Sequence, residues 1–202
     1  NIAKINGNIV YSFDSAARLA NVEAGISVGS AAVISAGAAV KIKADTSIDI
    51  DVEGEAAVAK MSATAKSRSS VTVAGGAIIS YGPTSSPDTG IDATTTSVII
   101  AKDVTDIDIK LGPENAETGI GTVIDDGVFS AASLLDLTVD RETKVDIGTA
   151  AQIGTDTSGK LYVQANNSGD VQIQVRASFV GSAKLETTDK SDVSIYGEIL
   201  KG

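Results

Sequence analysis

Ile26-Ser-Val-Gly-Ser-Ala-Ala-Val-Ile-Ser35 is the stretch on which the fold turns, because it comes back. It returns as Val71-Thr-Val-Ala-Gly-Gly-Ala-Ile-Ile-Ser80 and again as Val145-Asp-Ile-Gly-Thr-Ala-Ala-Gln-Ile-Gly154. A weaker copy reads Val193-Ser-Ile-Tyr-Gly-Glu-Ile-Leu200. Self-similarity of this kind marks a stacked architecture, in which no unit buries its apolar face alone. Shorter alternating runs open between these anchors, at Ile48, Val98, Ile120 and Val171. Together the starts at residues 26, 48, 71, 98, 120, 145, 171 and 193 are spaced about 24 residues apart.

Within each run the side chains alternate. Ile48, Ile50 and Val52 are interleaved with Asp49 and Asp51, and Val171, Ile173 and Val175 with Gln172 and Gln174. Ile107 and Ile109 alternate with Asp106, Asp108 and Lys110. Period two places the apolar set on one face of a strand and the polar set on the other. A turn of this length holds three such strands. From Ile26 they are 26–28, 33–34 and 40–42; from Val145 they are 145–147, 152–153 and 161–163. The expectation is an all-β parallel β-helix (β-solenoid) with about eight rungs, a rod on the order of 40 Å long at one strand spacing per rung. A jelly-roll-like β-sandwich pilin shares the composition but not the repeat, and would pair its strands antiparallel.

The domain organisation follows from the same spacing. Residues 1–25 read as an N-terminal strand and cap region, and residues 26–202 as the rungs. Loops are predicted near 82–92, where Pro83 and Pro87 forbid ladder hydrogen bonds, and near 112–119, which opens on Pro113. Asp14 and Ser15 are candidate caps for a short helix over 16–22, the rival being an irregular connection. The run 56–66 has helical composition but sits inside the repeat, which favours strand and turn.

Composition narrows the function. The chain has 202 residues, no Cys, no His and no Trp, and only 3% aromatic residues. Without His the usual general base is missing, and a Ser–His–Asp triad is impossible. A net charge of −10 opposes nucleic-acid binding, which needs phosphate neutralisation, and docking on anionic membranes. No apolar run approaches the roughly 20 residues that span a bilayer, so no membrane insertion is expected. The first residue is Asn rather than Met, which suggests a processed or excised segment.

The segments Gly-Ser-Ala-Ala-Val-Ile-Ser-Ala-Gly-Ala-Ala-Val-Lys-Ile-Lys-Ala44 and Thr-Asp-Thr-Ser-Gly-Lys-Leu-Tyr-Val-Gln-Ala-Asn-Asn-Ser-Gly-Asp170 carry a resemblance. They are similar to repeats of giant secreted bacterial exoproteins, the adhesins of the filamentous-haemagglutinin type. The resemblance covers residues 26–52, 71–110 and 145–175. It implies a right-handed parallel β-helix, export to the cell surface, and a structural or adhesive role. The proline-containing loop and residues 111–144 depart from the pattern, which leaves the register there open.

Carboxylates are the only plentiful reactive groups. Asp49 and Asp51 share one strand face, as do Asp106 and Asp108. Paired carboxylates serve glycoside hydrolysis as acid and base, and hard oxygen ligands suit calcium. The plainer reading is the solvated outer face of a strand. No calcium-binding nonapeptide repeat, EF-hand loop or phosphate-binding loop is present. The sequence therefore predicts a non-enzyme without a required cofactor, with Asp49, Asp51, Asp106 and Asp108 as candidate calcium ligands. The expected role is a structural or adhesive segment of an extracellular surface fibre. The alternatives are a self-assembling filament subunit and a polysaccharide-active β-helix enzyme. Expected partners are copies of itself or flanking repeats of the same chain, together with host or surface glycans.

Overall fold

The computed structural model describes residues 2–10, 14–36, 39–55, 58–81, 96–111, 132–155, 160–175 and 180–201. They form thirteen strands and the turns between them. In chain order these are β1 (Ile2–Val10), β2 (Asp14–Val28), β3 (Val33–Ala36), β4 (Lys41–Glu55), β5 (Val58–Val73), β6 (Ile78–Tyr81) and β7 (Thr96–Leu111). There follow β8 (Ala132–Ile147), β9 (Gln152–Thr155), β10 (Lys160–Ser168), β11 (Val171–Val175), β12 (Val180–Ile195) and β13 (Glu198–Lys201). Among the described residues no helix is long and apolar enough to cross a membrane.

Three sheets result, and every strand pairing in them is parallel. The first runs β1-β4-β7-β10, with β11 also on β7. The second runs β12-β8-β5-β2, and the third β13-β9-β6-β3. Consecutive strands of the chain thus visit the three sheets in turn, β10 and β11 together taking one place in the first, and the next set stacks on the last. Residues 14–22 lie in β2, so neither the candidate helix over 16–22 nor its rival, an irregular connection, is what forms. Each of these residues has a register partner in β5, and tertiary pairing overrides the local preference. Residue 25 falls inside the same strand, and 58–66 belong to β5. The loops expected near 82–92 and 112–119, and the run opening at Ile120, lie outside the described residues.

The register corrects the predicted rung. Ile26 pairs with Val71, Val71 with Val145, and Val145 with Val193. The strong anchors are thus successive strands of the second sheet, each one full tier from the next. Ile48, Val98 and Val171, which the sequence pattern counts as rungs of their own, belong to the first sheet. The apparent period interleaves two sheets of one tier, whose strands have similar length and alternation. Each sheet is four tiers deep rather than eight, a stack of roughly 15–20 Å at the usual strand spacing.

The inner faces of the first and second sheets meet across the interior. In β7 every second side chain from Ser97 to Leu111 is buried, and the intervening ones are wholly or partly exposed. Two apolar clusters form. One joins Ile48, Ile50 and Val52 to Met61, Ala63, Ile107, Ile109 and Leu137. The other joins Ile42 and Ile99 to Val71, Val145 and Ile147, and to Ile79 and Ile153 of the third sheet. Small and β-branched side chains fill this narrow space.

The corners between second and third sheet also stack. Residues 29–32, 74–77 and 148–151 each close a four-residue turn. The second donates backbone hydrogen bonds to the first corner (Ala74 N–H to the Val28 carbonyl, Ile78 N–H to the Ala32 carbonyl), and the third to the second (Gly148 N–H to the Val73 carbonyl, Gln152 N–H to the Ala77 carbonyl). The third position of the turn takes a positive φ of 81° at Gly76 and 61° at Ala150. Ala150 carries the methyl cost of a left-handed conformation that Gly76 avoids.

Candidate functional site: an acidic outer face over a polar interior

The four predicted carboxylates come together. The register sets Asp49 beside Asp106 and Asp51 beside Asp108, on adjacent strands β4 and β7. On the far side of β7, Gln172 of β11 stands beside Asp108, and Asp170 immediately precedes that strand. These residues line a shallow groove of about 300 Å³ on the outer face of the first sheet. Sequence alternation had placed each pair on a common strand face. Alternation carries no information on which strands are neighbours, so it does not join Asp170 and Gln172 to these pairs.

Several of these groups are engaged. The Asp170 backbone N–H donates to Asp106 Oδ1 at 3.0 Å, and Gln172 Nε2 donates to Asp170 Oδ2 at 2.8 Å. Lys110 Nζ lies 3.0 Å from Asp108 Oδ2 and 3.6 Å from Glu53 Oε1. The hydrogen bond and charge of Asp108 hold the Lys110 ammonium above the usual lysine range. Among the described residues, no group of three or more acidic side chains is arranged to hold a metal ion. The face is a band of like charge that concentrates cations near it and repels anions.

Beneath this face the interior is polar. Between the two apolar clusters the inward positions turn polar: Thr46 in β4, Ser67 and Ser69 in β5, Asp103 and Thr105 in β7, and Thr143 in β8 are all buried. Asp103 is 0% exposed and accepts from Thr46 Oγ1 (2.9 Å), from Thr105 Oγ1 (2.8 Å) and from Ser67 Oγ. Ser67 Oγ also lies 2.8 Å from Thr46 Oγ1. Three hydroxyls around one carboxylate replace the water it gave up. Ser69 Oγ donates to the Ala44 backbone carbonyl of the facing sheet. A short hydroxyl side chain reaches opposing main chain only where the sheets approach closely, so small polar residues define a waist.

Arg141 closes the network towards the last tier. Its guanidinium forms a two-pronged pair with Asp189, with Nη2 to Oδ2 at 2.7 Å, and Nη1 donates to the Ser168 carbonyl at 3.2 Å. The hydrogen bond to Asp189 raises the Arg141 pKa above the ordinary arginine value, opposed by burial and assisted by the charges of Asp189 and Asp103. Ser168 Oγ donates to the Asp103 carbonyl at 3.0 Å. Next to it Gly169 has φ +127°, and a Cβ there would sit 2.0 Å from the Thr105 carbonyl oxygen. Only glycine lets β10 and β11 follow β7 in one register. The signal for this network was legible: the inward file of β7 breaks from Ala101 to Ile107 through Asp103 and Thr105.

Comparison with known proteins returns no matching family model, no matching curated sequence and no matching solved structure.

Proposed function

We propose that this chain is a β-solenoid segment of an extracellular surface fibre or giant adhesin, without catalytic activity. Its work is to supply length, stiffness and exposed surface, with glycans as candidate ligands of that surface. The observation carrying this reading is the continuity of the inward files. Ile26, Val71, Val145 and Val193 form one, and Ile34, Ile79, Ile153 and Ile199 another, each crossing every strand of its sheet in parallel register. Such files couple each tier to its neighbours and resist shear along the stack. The polar waist supports the same reading, since satisfied buried networks specify register between facing sheets.

Two measurements test it. Antibody against the chain should label intact source cells, and labelling that appears only after permeabilisation would overturn the surface assignment. Acidic and neutral glycans incubated with the protein should survive uncleaved. Cleavage that disappears in Asp49→Ala and Asp106→Ala would replace the structural role with an enzymatic one.

A further inference from the structure

The outer face of the first sheet is divided in charge along its strands. Among the described side chains its first half presents Lys41 and Lys43 of β4, Lys102 of β7 and Lys160 of β10, against the single carboxylate Asp45. Beyond Ser47 and Val104 the sign reverses, to Asp49, Asp51 and Glu53 of β4 and Asp106 and Asp108 of β7, against Lys110. β7 also turns apolar groups outward. Val98, Ile100 and Val104 are half-buried there, and Tyr162, beside Val98, is 45% exposed. A polyanion suits only the first half of this face, and a polycation only the second. A second copy turned end for end suits both.

We infer that the outer face of the first sheet pairs with the same face of a second copy, with strands antiparallel across the joint. The pairing rests on the stacked-sheet reading above and names its partner; it uses the face of the sheet and none of its edges. A two-fold axis along the stacking direction and over Val104 keeps β4 opposite β4 and β7 opposite β7. The register puts Ser47 beside Val104. Counting equally from those two positions, Lys41 meets Glu53 of the second copy, Lys43 meets Asp51 and Lys102 meets Asp106. Symmetry makes each of these pairs twice, against one like-charge meeting, Asp45 with Asp49. Strands turned parallel would instead set lysine against lysine and carboxylate against carboxylate.

The area is sufficient. β7 has 16 residues and so spans roughly 53 Å, and β4, β7 and β10–β11 side by side are about 14 Å wide. Their face covers roughly 750 Å² in each copy, close to the ~800 Å² per partner of a standard specific interface. The contact is isologous and closes on itself, so it gives a dimer of two columns side by side.

Sedimentation equilibrium of the 202-residue chain tests the pairing, with circular dichroism checking that each variant folds. The chain should dimerise at low salt, and molar salt should weaken the dimer by about tenfold or more. Lys43→Glu and Asp51→Lys should each weaken it by about tenfold or more, because each sets like charges together at two symmetry-related places. The two changes in one chain should restore it to within about threefold, since each new carboxylate then meets a new ammonium. Within one chain residues 43 and 51 lie on one strand, roughly 26 Å apart, so the rescue arises only between copies. A chain that stays monomeric at low salt, or a double variant no better than the single ones, would overturn the pairing. A monomer that binds dextran sulfate through Lys41 and Lys43 would assign the face to an anionic polymer instead. Ser27→Cys with Thr72→Cys in one chain reads the stack separately, as these are register partners on the second sheet. That disulfide in a monomeric chain refutes the pairing alone, and its failure to form refutes the stack.

Discussion

Replacing Asp103 by alanine should be among the most damaging single changes in this chain. The carboxylate is fully buried and accepts three hydroxyl hydrogen bonds, from Thr46, Ser67 and Thr105. A hydrogen bond to a charged group contributes about 1.5–3 kcal/mol net, but the three share one desolvated acceptor and do not add. After truncation Thr46 and Ser67 retain each other, at 2.8 Å. Thr105 loses its carboxylate acceptor, and Arg141 loses one of its two nearby carboxylates. Together with the void left behind, the loss should be about 3–5 kcal/mol. Urea unfolding followed by far-UV circular dichroism measures it. With a slope near ~2 kcal/mol/M the midpoint should fall by about 2 M. A companion variant carrying Asp103→Leu, Thr46→Val, Ser67→Ala and Thr105→Val removes donors and acceptor together. It should recover at least half of the loss, because apolar replacement of a whole buried polar group is far less costly than orphaning its partners. A midpoint shift worth less than about 1 kcal/mol for the alanine variant would refute the reasoning. So would a companion variant weaker than the single one.

Three further outcomes are expected of the same fold. Ala150→Gly should raise stability by about 0.5–1 kcal/mol, read from the same urea midpoint, because relief of the left-handed strain at φ 61° outweighs the added chain entropy. Asp106→Asn should stabilise the chain by about 0.2–1 kcal/mol at low salt, since it relieves like charge beside Asp49 while keeping the oxygen that accepts from Asp170. The gain should shrink in molar salt, and a loss of stability that appears only with calcium would instead mark the groove as a cation site. Burial raises the Tyr81 pKa above 10.0, so its contribution is complete below pH 10 and is lost as pH rises through the folded value. Tyr81→Phe should flatten that part of the stability–pH curve, and an unchanged alkaline decline would refute the assignment.

The acidic face and the polar waist differ in how they could be read from sequence. Asp49, Asp51, Asp106 and Asp108 stand out because alternation alone puts each pair on one strand face. Their assembly into one groove depends on β4 lying beside β7, a contact between distant parts of the chain. Asp103 is harder to recognise, since an isolated acidic residue within a strand looks like another solvated position. Its meaning comes from parity: Ile99, Ala101, Ile107 and Ile109 point inward, so Asp103 must also. Neither a helix capped by Asp14 and Ser15 nor an irregular connection matches β2, because the register that fixes β2 against β5 is invisible to a local reading.

What the sequence determined by itself was the class of element and the residues that face the core. Two-residue alternation and recurring turns are local properties, set by the backbone and by which side chains tolerate water. The tertiary structure alone decided the tier length, the four-deep stacking, and the neighbours of each carboxylate. Strands of similar length and composition are interchangeable in a one-dimensional pattern. Only hydrogen bonds between strands far apart in the chain, such as β2 to β5 and β5 to β8, distinguish the next sheet of a tier from the same sheet of the next tier.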